Sequence, residues 1–338
     1  MLAIALCAVL TAQIQETITV SRVVVDARVT DTGGEPIANL TAADFEVRIG
    51  GKKAVVESAE WIEDVGAVES SSRPVVEDPA SEPLDDSTTR RLGRLLVFFV
   101  QTDFSRDSSR TEGQMSFMQH YEQLLETLLP EDRVAVFSFD SRLKFRLDFS
   151  SDRDAIREAL RESLFINTPA EPPIVPSPSL ASRLDREDMR RAAHSETGLL
   201  VVANALRSIP GPKTLLLLGW GLGERSMGGV RMKRQWGPAR AALDAARVSI
   251  FALDTTNADY HDLEVGLISA AEQTGGFYAK THVFPQIAIE RLQRTLSGHY
   301  ELTLRAVDEL QPGSQELIVR VKRRGALVLA PSSVLIRR

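Results

Sequence analysis

Residues 95–109, LLVFFVQTDFSRDSS, set six consecutive apolar residues directly before a loop of hydroxyl and carboxylate side chains. A continuous apolar run of that length suits a strand buried on both faces, the condition of a parallel sheet covered by helices. The next segment, MSFMQHYEQLLETLL, has helical spacing and turns Met115, Met118, Leu124, Leu125 and Leu128 toward one side. RVAVFSFD and RLKFRLDF read as two strands separated by little more than Ser141, and SDRDAIREAL as a helix opened by a Ser or Asp cap. Beyond a Pro-rich insert, TPAEPPIVPSPS, residues 185–209 read as another helix. TLLLLG, VSIFALD and GGFYAK are further strands, with helices in GPARAALDAAR, LEVGLISAAEQ and QIAIERLQRTL. This alternation predicts an α/β domain over 94–297, a Rossmann-like, doubly wound, mostly parallel sheet whose ligands bind at the carboxyl ends of the strands. The polar loop after Val100 lies on that edge.

Outward from this domain the pattern is β. Residues 17–62 contain the alternating run TITVSRVVVDARVTD, a turn in DTGGEPIANL, and DFEVRIGGKKAVVESAEW, with Gly50-Gly51 as a hairpin signal. Residues 64–90 are acidic and rich in Ser and Pro, with too little apolar surface to offset ordering entropy, and read as a flexible linker. Three extended runs close the chain over 298–338: HYELTLRAV, SQELIVRVKRR and ALVLAPSSVLIRR. Sheet edges need covering, so these strands are expected to join those of 17–62 in one small composite β domain.

The 338 residues suffice for two cores, and 43% hydrophobic with 25% charged residues is a globular composition. A net charge of −6 argues against nucleic acid as a partner, because that binding is driven by Lys and Arg displacing counterions. The single cysteine, Cys7, lies in MLAIALCAVLTAQ, so the remaining chain offers no disulfide framework and no thiolate chemistry. Residues 1–13 have the length of a signal-peptide apolar region and are too short to span a bilayer. The expectation is an exported protein, periplasmic or extracellular, with no transmembrane span; a buried first strand is the alternative.

The strings VTDTGGEPIANLTAADFEVRIGGKKAVVESAEW, LPEDRVAVFSFD, SIFALDT, EQTGGFYAKT and HYELTLR resemble the bacterial, acidobacterial-type VWFA-related domain proteins, named for the von Willebrand factor A fold. The resemblance runs from about residue 17 to 338. It implies a Rossmann-like A domain flanked by β structure in an exported protein, and it supplies a fold more readily than an activity.

Metal-binding A domains carry Asp-x-Ser-x-Ser after the first strand, a Thr from a second loop, and an Asp after the strand that usually ends in Thr-Asp-Gly. Mg2+ takes near-octahedral oxygen ligands, and a shell short of one can accept a partner's carboxylate. The resemblance places Gln101 at the first Asp, Asp103 at the first Ser, Ser105 at the second and Thr197 at the second-loop Thr. The closing Asp has no counterpart, since LLLLG continues as Gly219-Trp220-Gly221. A shifted frame through Asp103, Ser105 and Asp107 would recover a second carboxylate. The implied metal-ion-dependent adhesion site is degenerate, with weak affinity for Mg2+ or another divalent cation. The alternative is a polar strand end in which Asp103 or Ser105 caps the following helix.

Other candidates sit on the same edge or near it. Asp254, ending VSIFALD, reaches the carboxyl edge, although an Asp before Thr-Thr-Asn also suits a turn. RMKRQWGPAR offers Arg234 and Trp236 as binding-face candidates beside Trp220, residue types enriched at interfaces, or else a solvated loop. GWGLGERSMGG lacks the third glycine of GxGxxG and the GK[ST] ending of a P-loop, and reads as a mobile loop. None of the five histidines shows metal-ligand spacing, and no acid and base are convincingly paired, so an enzyme is not expected. The leading reading is an exported, non-enzymatic module that binds a protein or envelope ligand through the strand-carboxyl face. The alternatives are a structural subunit of an envelope complex with a chemically silent A domain, and a hydrolase whose site the sequence does not display.

Overall fold

The computed structural model describes residues 22–63, 93–102, 108–165, 167, 172, 175, 176, 178–305 and 310–336. The signal reading of 1–13, the linker reading of 64–90, and Asp103, Ser105 and Asp107 lie outside the described residues.

In chain order the elements are β1 (Arg22–Thr30), β2 (Phe45–Ile49), β3 (Lys52–Glu63), β4 (Leu95–Gln101), α1 (Ser108–Met118), α2 (Tyr121–Glu126), β5 (Arg133–Phe139), β6 (Leu143–Ser150), α3 (Arg153–Glu162), α4 (Arg186–Arg191), α5 (Ser195–Leu206) and β7 (Lys213–Gly219). They continue with β8 (Glu224–Ser226), β9 (Gly229–Arg231), α6 (Trp236–Ala245), β10 (Val248–Asp254), α7 (Glu264–Gln273), β11 (Tyr278–Lys280), α8 (Pro285–Thr295), β12 (Gly298–Arg305), β13 (Gly313–Val321), β14 (Leu327–Leu329) and β15 (Ser333–Ile336).

Six strands form one sheet in the order β11-β10-β7-β4-β5-β6, parallel except for β6, which returns from β5 as a hairpin. Side-chain alternation along each strand supplies both faces. On β4, Leu95, Val97 and Phe99 pack with α5, α6 and α7, whereas Leu96, Phe98 and Val100 pack with α1, α2, α3 and α8. Chain order reverses between β4 and β7, so the sheet is doubly wound with its switch point between these two strands. Gln101 and Gly219 end them, and therefore flank the crevice that the topology opens.

The second sheet is antiparallel and takes strands from both ends of the chain in the order β14-β1-β12-β3-β2-β13-β15. Tyr300 on the inner strand β12 is fully buried and meets Phe45 and Trp61 edge-on, with ring centroids 5.2 and 5.0 Å away. Its hydroxyl accepts from the Leu40 N–H at 2.8 Å and donates to the Ile37 carbonyl at 2.7 Å. This composite β domain is tied to the α/β domain by Arg247, whose guanidinium donates to both oxygens of Asp26 at 2.9 and 2.5 Å and to Glu301 at 2.6 Å.

Several local expectations are corrected. The helix expected from Met115 is two, α1 and α2, broken at Gln119 and His120, and Met115 is 47% exposed. The packing of α1 explains this: a Cβ on Gly113 would fall 1.8 Å from the Thr255 carbonyl oxygen, so Gly113, Gln114 and Phe117 form the inward side and Met115 faces out. The helix expected over 185–209 is α4 and α5, interrupted where Ala192 leaves helical geometry at ψ 81° and His194 is extended. The stretch expected as a mobile loop carries a two-stranded ribbon, β8 with β9.

Candidate functional site

Alternation along β4 continues past its apolar run, so Gln101 points toward α5 with Phe99 rather than into solvent. The side chain is 1% exposed. Its Nε2 donates to Ser195 Oγ and to the Gly221 carbonyl, both at 2.8 Å. Its Oε1 accepts from the backbone N–H groups of Trp220 at 2.9 Å and Gly221 at 3.1 Å. Two donors and two acceptors are the full capacity of a primary amide, and turning the amide over would oppose NH2 to two N–H groups. Gly219 makes room for this arrangement, since a Cβ there would lie 2.1 Å from Gln101 Oε1.

The residue facing Gln101 from the second loop is Ser195, two positions before Thr197. Thr197 lies in the first turn of α5, half-buried, with its N–H bonded to the His194 carbonyl at 3.0 Å. The break between α4 and α5 sets this: α5 starts at Ser195 and turns Ser195 and Glu196 inward. Glu196 is 1% exposed and accepts from the Gly223 N–H at 2.7 Å, which fastens the loop after β7 to α5.

Among the described residues, Gln101 and the groups bonded to it offer no ligand set for Mg2+. Neither Gln101 nor its partners Ser195, Trp220 and Gly221 carries a charge, and Gln101 Oε1 would have to abandon two N–H donors to reach a cation. Trp220 is half-buried at the edge, with the Arg110 guanidinium 3.8 Å above its ring, a cation–π contact.

Asp254 ends β10 on the same edge and is 2% exposed. Its Oδ2 is 2.7 Å from His261 Nε2 and accepts from the Tyr278 hydroxyl at 2.7 Å, and its Oδ1 accepts from the Thr256 N–H at 3.0 Å. Burial drives the Asp254 pKa up, but the bonds from His261, Thr256 and Tyr278 together outweigh it and hold the carboxyl below the usual range. Glu264, at the first turn of α7, is paired with Lys280 at 2.7 Å.

Two binding-face candidates separate. Arg234 is exposed ahead of α6. Trp236 is corrected: it is 5% exposed, belongs to the core against α7, and its Nε1 donates to Gln273 at 2.8 Å. Helix α6 starts at Trp236 itself, which turns the ring inward. His261 lies just ahead of α7, three residues before Glu264, and within bonding distance of Asp254. The sequence signal was His-x-x-Glu at a helix start, meaningful only once β10 supplies Asp254.

No protein-family model matches the chain, and no curated protein matches it. Among solved structures it is similar to a von Willebrand factor type A protein from Catenulispora acidiphila, at 11% identity over 72% of this chain and 66% of that one, TM-score 0.42. It is also similar to the conserved hypothetical protein BatB from Bacteroides thetaiotaomicron, at 12% identity over 59% of this chain and 98% of that one, TM-score 0.36. A third is proximal thread matrix protein 1 from the mussel byssus, described with a zinc-occupied MIDAS motif, at 14% identity over 64% of this chain and 49% of that one, TM-score 0.41. The chain thus spans just under two thirds of the first of these proteins and about half of the third. Among the described residues no helix is long and apolar enough to cross a membrane.

Proposed function

We propose that this chain is an exported, non-enzymatic binding module of the VWFA-related kind, engaging a protein or cell-envelope ligand through the carboxyl edge of its six-stranded sheet without a cation at Gln101. The observation that carries this reading is the Gln101 amide at the switch point. Open α/β sheets bind ligands there, and here four neutral hydrogen bonds fix Ser195, Trp220 and Gly221 relative to one another at the edge. The edge is preorganised by the amide, where a metal-dependent module would use its ion. Trp220 under Arg110 supplies the residue types that dominate binding energy at protein interfaces.

The test is capture of an envelope component by immobilised full chain in EDTA and in Mg2+, against Trp220→Ala and Arg110→Ala, each checked for folding by circular dichroism. The reading expects the same component in both buffers and its loss with either variant. Capture that needs Mg2+, or that survives both substitutions, contradicts it. Export is tested separately, by mass spectrometry of the native N terminus.

A further inference from the structure

Asp254, His261 and Glu264 present one ligand atom each, all within 4.8 Å of one another, although they come from the end of β10, the following loop and the start of α7. The geometry points to a binding site for a divalent transition-metal ion, zinc foremost, held by Asp254 Oδ2, His261 Nε2 and a Glu264 carboxylate oxygen. It is built on β10, not on β4, and makes no use of Gln101.

Three features of the cluster match what such an ion needs. The ligand set is one imidazole and two carboxylates, which suits zinc and its neighbours and leaves open coordination positions; Mg2+ and Ca2+ prefer oxygen alone. Ligands of a tetrahedral zinc at about 2.1 Å stand roughly 3.4 Å apart. The Asp254–His261 separation of 2.7 Å is already below that, so the main closing movement belongs to Glu264, the first residue of α7. The outer partners are also in place: the Thr256 N–H fixes the second oxygen of Asp254, and the Tyr278 hydroxyl lies 2.7 Å from Asp254 and 3.5 Å from Glu264.

Charge argues in the same direction. Asp254 and Glu264 are 2% and 8% exposed, and Lys280 neutralises Glu264 with a side chain that is itself 35% exposed. An arriving cation takes over that role, and Lys280, which also bonds the Asp259 carbonyl, turns away from Glu264.

The experiment is calorimetric titration of chelator-stripped full chain with Zn2+, with Mg2+ in parallel. One equivalent of zinc should bind and raise the melting temperature, Mg2+ should not compete, and His261→Ala and Glu264→Gln should each weaken zinc at least about tenfold. Folded wild type that takes up no zinc at millimolar concentration overturns the inference, as does zinc binding unchanged in both variants. Should the variants unfold, cobalt-loaded wild type decides: paramagnetic shifts on the His261 ring protons support the site, and their absence with cobalt bound refutes it.

Discussion

The Trp220 backbone N–H donates to Gln101 Oε1 across 2.9 Å, and this bond joins the carboxyl ends of the two strands that flank the switch point of the sheet. Because Gln101 is buried and fully bonded, Gln101→Ala leaves two N–H groups, a carbonyl and a hydroxyl without their partner. The expected cost is about 2–4 kcal/mol, read from urea denaturation.

Gly219→Ala should produce the same defect from the other strand, since its Cβ would occupy the place of Gln101 Oε1. The two substitutions remove one arrangement, so their effects should be strongly non-additive in a double-mutant cycle. Simple additivity would mean that the bonds of Gln101 contribute little to stability.

Burial pushes the Asp244 carboxyl up to about 6, against the opposing pull of Ser333 and Arg240. Its Oδ1 has no hydrogen-bond partner among the described residues. Between its ordinary 3.8 and 6, the folded state binds more protons than the unfolded state. This contribution is therefore complete at low pH and is lost as pH rises through the folded value. Asp244→Asn should flatten the stability profile in that window and raise stability at neutral pH by roughly 2 kcal/mol. Thermal melts across the window provide the check.

Arg247 holds Asp26 and Glu301 at the junction of the two sheets and has φ +53°, in the left-handed region. Arg247→Ala takes the guanidinium from both carboxylates, leaving Asp26 with His299 at 3.7 Å, while keeping the backbone strain, and should cost roughly 2–3 kcal/mol, discounted because the guanidinium is partly exposed. Arg247→Gly relieves the strain and should cost less than Ala. Equal losses in the two variants would remove backbone strain from this account.

Much of the α/β domain was legible because its signals are local: LLVFFV, TLLLLG and VSIFALD are buried on both faces, and their unbroken apolar runs read as strands. That the C-terminal strands join those near the start of the chain followed from the need to cover edges; the place of β12 between β1 and β3 did not. The site was less legible because its contacts join distant residues. Which second-loop residue meets Gln101 depends on where the helix over 185–209 breaks, and that is set by packing at Ala192, not by propensity. Trp236 looked like an interface residue by composition, yet the starting point of α6 decides which way its ring turns. His261 acquires meaning only from Asp254, which the fold brings beside it through the loop after β10.

The Gln101 amide is proposed to organise the switch-point edge without a cation. Titration of the full chain with Mg2+ by calorimetry, in a His261→Ala background so that the β10 cluster cannot contribute, tests it most directly. No saturable heat and no rise in melting temperature are expected. Saturable Mg2+ binding that disappears in Gln101→Ala or Asp107→Ala would contradict it.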